Sequence, residues 1–206
     1  MSTLRPSREK EFDTGYFDCL TDGRRRGALT VLLDEVGVTS ERALARRLAA
    51  AERDTTPQSV DDDAITTVRT SLRHVHLPKL DDAGLVDWDA DDGTVAATDH
   101  PLLSDPQFRS IVETDVDGWD DVVAGLADQR RRDALVVLAS EEELSRDRLA
   151  EVLAARDQDD LALQLHHVHL PKLDDAGLID YDPDEGTAVY RGHPELPAVD
   201  GLHLAE

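Results

Sequence analysis

His74-Val75-His76-Leu77-Pro78-Lys79-Leu80-Asp81-Asp82-Ala83-Gly84-Leu85 recurs without change at His167 to Leu178. The likeness spreads in both directions from this block. Upstream, Leu20 to Leu29 (LTDGRRRGAL) matches Leu126 to Leu135 (LADQRRRDAL). Downstream, VDWDADDGTV matches IDYDPDEGTAV, and each copy closes on His-Pro, at His100-Pro101 and His193-Pro194. The arginine blocks lie 106 positions apart and the HVHLPKL blocks 93, so the first copy carries 13 extra residues between them. The chain is therefore a duplication of a unit of about 80 residues, with too few copies for a solenoid.

Each copy presents the same order of elements. A first helix is expected from Tyr16 to Glu35, with Leu20, Ala28, Leu29, Val31 and Leu32 as its apolar face. A second follows Ser40, a suitable N-cap, and carries Leu44 and Leu48 at helical spacing. The insertion falls around Thr55 to Ser59, in an exposed loop. The third helix covers Asp63 to Ala83 and stops at Gly84, placed as a C′ glycine. Two strands, Leu85 to Asp89 and Thr94 to Thr98, then flank an Asp-Asp-Gly turn, matched in the second copy by Asp184-Glu185-Gly186. Three helices and a hairpin predict a mainly α fold with small β-hairpins (α+β), in tandem winged helix-turn-helix domains. The first spans 16–101, a linker 102–118, and the second 119–194.

The string LRHVHLPKLDDAGLV resembles the recognition helix and first wing strand of ArsR- and MarR-type regulators, which share a His-Leu-x-x-Leu-x-x-x-Gly-Leu-Val pattern there. LTDGRRRGALTVLL resembles their first-helix stretch. More narrowly, the arginine block, the HVHLPKL helix and the Asp-rich hairpin together resemble a haloarchaeal winged-helix domain family of unknown function. The resemblance covers Phe17 to Pro101 and Trp119 to Pro194. It implies DNA binding and transcriptional regulation.

Composition sets the setting. Among 206 residues, 45 acids oppose 22 bases for a net charge of −23; 32 of the acids are Asp, and only 3 of the bases are Lys. Such a surface keeps a protein hydrated where concentrated salt screens its self-repulsion, so a halophilic host is expected. An acidic disordered chain is the rival, but 40% hydrophobic content in periodic segments opposes it. The single Cys19 excludes an internal disulfide framework. No apolar run approaches a membrane span, and MSTLRPSREKEF lacks a signal-peptide core, so a cytoplasmic protein with no membrane partner is expected.

On a wheel of about 100° per residue, Leu72, Leu77, Leu80 and Ala83 share one side of the third helix, with His76 in their arc. His74, Pro78 and Asp81 point away, and Lys79 lies on the flank. His74 is thus a candidate for base edges or phosphates, and Arg69, Arg73 and Lys79 for phosphates. The second-copy candidates are His166, His167 and Lys172. Two of the three lysines occupy this one repeated position in a chain that otherwise avoids lysine. The other reading is that the block is shared by descent and serves packing, with Pro78 and Pro171 kinking the helix.

Other features are read more plainly. His74 and His76 are i, i+2 and diverge on a helix, so no metal site and no cofactor are expected. Arg24-Arg25-Arg26 and Arg130-Arg131-Arg132 either hold phosphates or a neighbouring helix, or pair with acids such as Asp22 and Asp128; the structural role is favoured. Trp88 and Trp119 read as packing anchors. Against DNA stand the hairpin tips, Asp89-Ala90-Asp91-Asp92 and Asp182-Pro183-Asp184-Glu185, and the helix end Asp81-Asp82. Molar salt screens that repulsion together with phosphate attraction. Neither a Gly-rich phosphate loop nor a nucleophile-base set occurs, so an enzyme is not expected. The sequence reading is a DNA-binding regulator in a high-salt cytosol, with double-stranded DNA as partner, the two copies acting as a pseudo-dimer or one binding DNA while the other mediates assembly. A homodimer or a protein partner is the other association expected. The alternative is a winged-helix protein-protein interaction module without direct DNA contact.

Overall fold

Capping chemistry sets where the helices begin. Asp22, in extended geometry (φ −114°, ψ 121°), accepts from the N–H groups of Arg24 and Arg25 and starts a new helix. The single helix expected over Tyr16–Glu35 is therefore two, α1 (Gly15–Leu20) and α2 (Gly23–Leu33). Asp and Gly are poor interior residues and good starting ones. The computed structural model describes residues 15–35, 37–154 and 158–196.

A two-residue strand that the sequence did not announce, β1 (Thr39–Ser40), leads into α3 (Glu41–Ala51), capped by Ser40, whose Oγ accepts from Ala43 N at 3.2 Å. The 55–59 insertion is an exposed turn. The third helix runs as α4 (Asp62–Ser71), a π turn over Leu72–His76, and α5 (Leu77–Asp82). Gly84, at φ +70°, ends it, and Leu85 N donates to Leu80 O at 3.0 Å. The hairpin is β2 (Val86–Asp89) and β3 (Thr94–Ala97), antiparallel, with β1 joining its outer side in the order β1-β3-β2.

The 102–118 stretch contains a 3₁₀ turn (Pro101–Ser104) and α6 (Pro106–Glu113), which lies on α2 and buries Leu102, Leu103, Phe108 and Ile111. The second half repeats the first: α7 (Trp119–Leu126), α8 (Gln129–Glu141), β4 (Glu143–Ser145), α9 (Arg146–Leu153), α10 (Gln158–Gln164), a π turn (Leu165–His169), α11 (Leu170–Asp175), β5 (Ile179–Asp182) and β6 (Thr187–Tyr190). Its sheet order, β4-β6-β5, is the same. The protein is thus α+β, with two similar halves and a three-stranded antiparallel sheet in each. No described helix is long and apolar enough to cross a membrane.

One contiguous core joins the halves. Equivalent helices α1 and α7 pack together. Equivalent arginines cross between the halves: Arg26 to Asp120 at 2.7 Å, and Arg132 over the Phe17 ring at 4.7 Å. Like meeting like is the pattern of an isologous interface, here within one chain. Trp119 is the anchor expected of it, fully buried with Nε1 donating to Ile111 O at 3.0 Å.

Gly84 and Gly177 (φ +69°) face open space where a Cβ would stand, so only backbone strain opposes a side chain. Gly84→Ala and Gly177→Ala are each expected to cost about 1 kcal/mol, read by chemical denaturation in molar KCl. Unchanged midpoints would contradict the left-handed caps.

Candidate nucleic-acid interface

Proline decides the geometry of the third helix. Pro78 and Pro171 have no N–H, and their rings crowd the carbonyl four residues back. Just before each, the helix widens by one residue: Leu77 N donates to Leu72 O, and Leu170 N to Leu165 O. The two leucines of each pair, five apart, are both fully buried, and the i→i+5 turn brings them closer to one face than a regular helix would. The extra residue leaves His76, Leu77 and Leu80 facing inward, and His74, Val75 and Lys79 facing solvent. In the second half His169, Leu170 and Leu173 face inward, and His167, Val168 and Lys172 outward. Val75 and Val168 are 48% and 43% exposed. Sequence reading missed them as surface residues, because it counted an unbroken helical period.

The structure separates the expected contact residues into two groups. Lys79 and Lys172 make no ion pair among the described residues, and His74 and His167 are exposed. Arg73 is held internally, donating to Glu41 Oε1 and to Ala90 O, both at 2.6 Å. Arg69 is half-exposed, with Nε 3.8 Å from Glu41 Oε2. Glu41, only 4% exposed in its side chain, also accepts from Trp88 Nε1 at 3.0 Å, so Trp88 anchors through a hydrogen bond as well as its ring. This carboxylate ties α3, the third helix and the hairpin together, with Arg73 as one of its partners. Nothing in local sequence marks Glu41, because its partners lie 32 and 47 positions away. In the second half the node is rebuilt: His166 Nδ1 meets Tyr181 Oη at 2.6 Å, and Arg146 stands where Glu41 stood.

The inner histidines are structural. His76 is buried, with Nε2 2.9 Å from Ser71 Oγ and Nδ1 3.4 Å from Asp22 Oδ1. His169 Nδ1 lies 3.5 Å from Asp128 Oδ1. In each half the helix-capping aspartate thus faces the imidazole that closes the π turn. Burial pushes both imidazoles below their ordinary value, against the raising effect of the aspartate and with further lowering by nearby arginines. Among the described residues no group of three or more His, Cys, Asp or Glu side chains is placed to hold a metal ion. Cys19 is buried, its thiol pushed up to about 11 by burial.

The arginine blocks are structural too, mainly through backbone carbonyls and less through the acids expected. Arg25 donates to Cys19 O, and Arg131 donates to Gly125 O at 2.7 Å and Ala124 O at 2.8 Å. Arg26 and Arg132 reach Leu20 O and Leu126 O at 2.8 and 2.6 Å. These carbonyls end α1 and α7, where orphan acceptors and the helix dipole favour a cation. Only the first arginine of each block is exposed enough to bond outward, Arg24 to Glu52 and Arg130 to Gln164.

The acids of the repeat also have local tasks. Asp81 accepts from Trp88 N at 3.1 Å and Asp174 from Tyr181 N at 2.9 Å, pinning helix to hairpin. Asp89 accepts from the N–H groups of Asp91 and Asp92, and Asp182 from those of Asp184 and Glu185, closing the two turns. His100 and His193 accept backbone N–H bonds through Nδ1 after each half and pack on Tyr16 and Trp119.

The model of one family, a domain of unknown function (DUF7344), matches residues 17–96 and again 124–189. The chain belongs to the DUF7344 family. The two matched stretches are the two structural halves, so each is a DUF7344 domain and the repeated block lies inside both. No curated protein and no solved structure matches the chain.

Because His76 and His169 titrate lower folded than unfolded (about 6.5), the unfolded chain takes up more protons as pH falls. Stability contributed by these neutral imidazoles is complete above that value and is lost as pH falls through and below it. Denaturation midpoints are expected to drop from pH 7.5 to 5.5 and to drop less in a His76→Gln, His169→Gln variant. An equal drop in both would contradict the burial of neutral imidazoles.

Proposed function

We propose that each half is a winged helix of the ArsR/MarR kind and that the chain is a DNA-binding transcriptional regulator working in a high-salt cytoplasm. The element order supports this reading: two helices, a short strand, two further helical stretches and a hairpin, with the first strand beside the last. One observation carries it. Within the identical twelve-residue block, most residues have a task in the fold. His76, Leu77, Leu80 and Leu85 are buried, Ala83 packs on the core, Pro78 shapes the turn, Asp81 pins the hairpin, and Gly84 ends the helix. His74, Val75, Lys79 and Asp82 have none, and all four are exposed, as are His167, Val168, Lys172 and Asp175.

Spacings of four and three residues align Val75, Lys79 and Asp82 along one stripe. Its chemistry suits base edges in a major groove. Lysine donates to guanine, a carboxylate accepts from the cytosine amine, and an apolar side chain contacts the thymine methyl. In concentrated salt such contacts outweigh phosphate attraction, which weakens steeply as salt rises. The acidic hairpin tips stay in solvent and are screened. The isologous packing of the halves supplies the pseudo-dimer.

A second reading, a protein-interaction module, draws on the apolar exposure of Val75, Val168 and Leu163. The two readings separate in a fluorescence-anisotropy titration against genomic DNA fragments in molar KCl. Saturable binding that weakens about tenfold in a Lys79→Ala, Lys172→Ala variant is expected, since a good base contact is worth ~1–3 kcal/mol. No binding by the folded protein at any salt concentration would remove direct DNA recognition and leave partner capture.

A further inference from the structure

We propose that the two halves divide the contact unequally, the first half facing the phosphate backbone of the duplex while the second half does not; this rests on the DNA reading above. The repeated block is identical, so the difference lies in what surrounds it. The N-caps Ser40 and Ser145 and the buried pairs Leu44-Ala45 and Leu149-Ala150 fix the alignment of α3 with α9. On that alignment Arg42, Arg46 and Arg47 of the first half stand where the second has Asp147, Glu151 and Val152. Arg69, on α4, stands where α10 has Ala162. Four exposed cations are thus answered by two acids and two apolar side chains.

On α9 two replacements run the other way, and each pairs with an acid of the same helix. Arg146 replaces Glu41, and Arg148 replaces Ala43; they pair with Asp147 at 2.9 Å and with Glu151 at 2.7 Å, the acids beside them on α9. Glu41 itself is buried against Arg73, so it subtracts little from the outward field of the first half.

The first-half cations lie beside the contact helix. Glu41, adjacent to Arg42, meets Arg69 and Arg73, and Arg42 reaches Asp62 at the start of α4 at 2.6 Å. The start of α3 therefore lies beside α4 and Arg73, the part of the third helix that leads into the stripe. Arg46 makes no ion pair among the described residues. Arg42 pairs with Asp62 and Arg47 with Glu35, as Arg146 and Arg148 pair with acids in the second half; such surface pairs hold weakly in both, so the difference is three exposed arginines on α3 against two arginines and two acids on α9. The second half offers at the same places Glu151, Val152 (49% exposed) and, further along, Leu163 (59% exposed), which phosphates do not attract.

The test is a salt titration of duplex binding by the intact chain, from 2 M KCl down to the lowest concentration at which circular dichroism shows the fold intact. Arg42→Asp, Arg46→Glu gives the first half the residues that the second half carries. It is expected to weaken binding on the order of tenfold at the lowest salt and to flatten log K against log [KCl] by about 1.8, since each phosphate contact contributes about 0.9. Arg148→Ala, which gives the second half a first-half residue and removes an exposed cation, is expected to change affinity less than twofold. If the double variant does not fold, Arg46→Gln replaces it, with a flattening of about 0.9. An unchanged slope in the first-half variant, or an equal loss in Arg148→Ala, overturns the division of labour while leaving DNA binding in place. No binding by the unmodified chain overturns the reading beneath it, and the proposal with it.

Discussion

A proline in the middle of the third helix constrains the rest of each half. In a regular helix interior it costs about 3 kcal/mol, through a missing hydrogen bond and a clash. Here the chain meets that cost with a π turn immediately before it, so the helix continues with one residue more on its outer side. Burial of Leu77 and Leu80 contributes about 2 kcal/mol each, enough to hold both helical segments against one core. The same extra residue turns Val75 and Lys79 outward and brings His76 against the aspartate that caps α2. Interior and surface of the repeated block are set by one local irregularity.

Around this helix, charged groups that look available are mostly committed. The arginines of both blocks close the ends of α1 and α7, and Glu41 gathers Arg73 and Trp88 into one node. Aspartates that would repel a phosphate backbone instead pin helix to hairpin and close the turns. What is left over is small, and it is the same in both halves: an imidazole, a valine, an ammonium and a carboxylate on one side of one helix. The halves then differ in the helix beside it, which carries three exposed arginines in the first and two arginines with two acids in the second.

The parts of the fold that were legible in sequence rest on local chemistry. Ser40 caps α3, Gly84 and Gly177 end their helices, and the Asp-rich turns close the hairpins, as their residue types require. The first helix was misjudged because a helical apolar period runs straight through Asp22-Gly23, and only the capping geometry breaks it. β1 was missed because two residues carry no period of their own; its pairing to β3 is tertiary. The outward lysines and histidines could be named from a wheel. The outward valines could not, since the π turn shifts that wheel by one residue. Arg73 and Glu41 lie 32 positions apart, and no local pattern announces such a pair.

On the proposed function, the repeated block divides into an inner set that makes the fold and an outer set that makes the contact. Nuclear magnetic resonance of the intact chain, titrated with duplex DNA in molar KCl, tests it most directly. Signals of His74, Val75, Lys79 and Asp82, or of their second-half counterparts, are expected to shift on binding, while the buried His76 and His169 keep their positions. Shifts confined to surfaces away from the third helices, or led by the buried histidines, would contradict it.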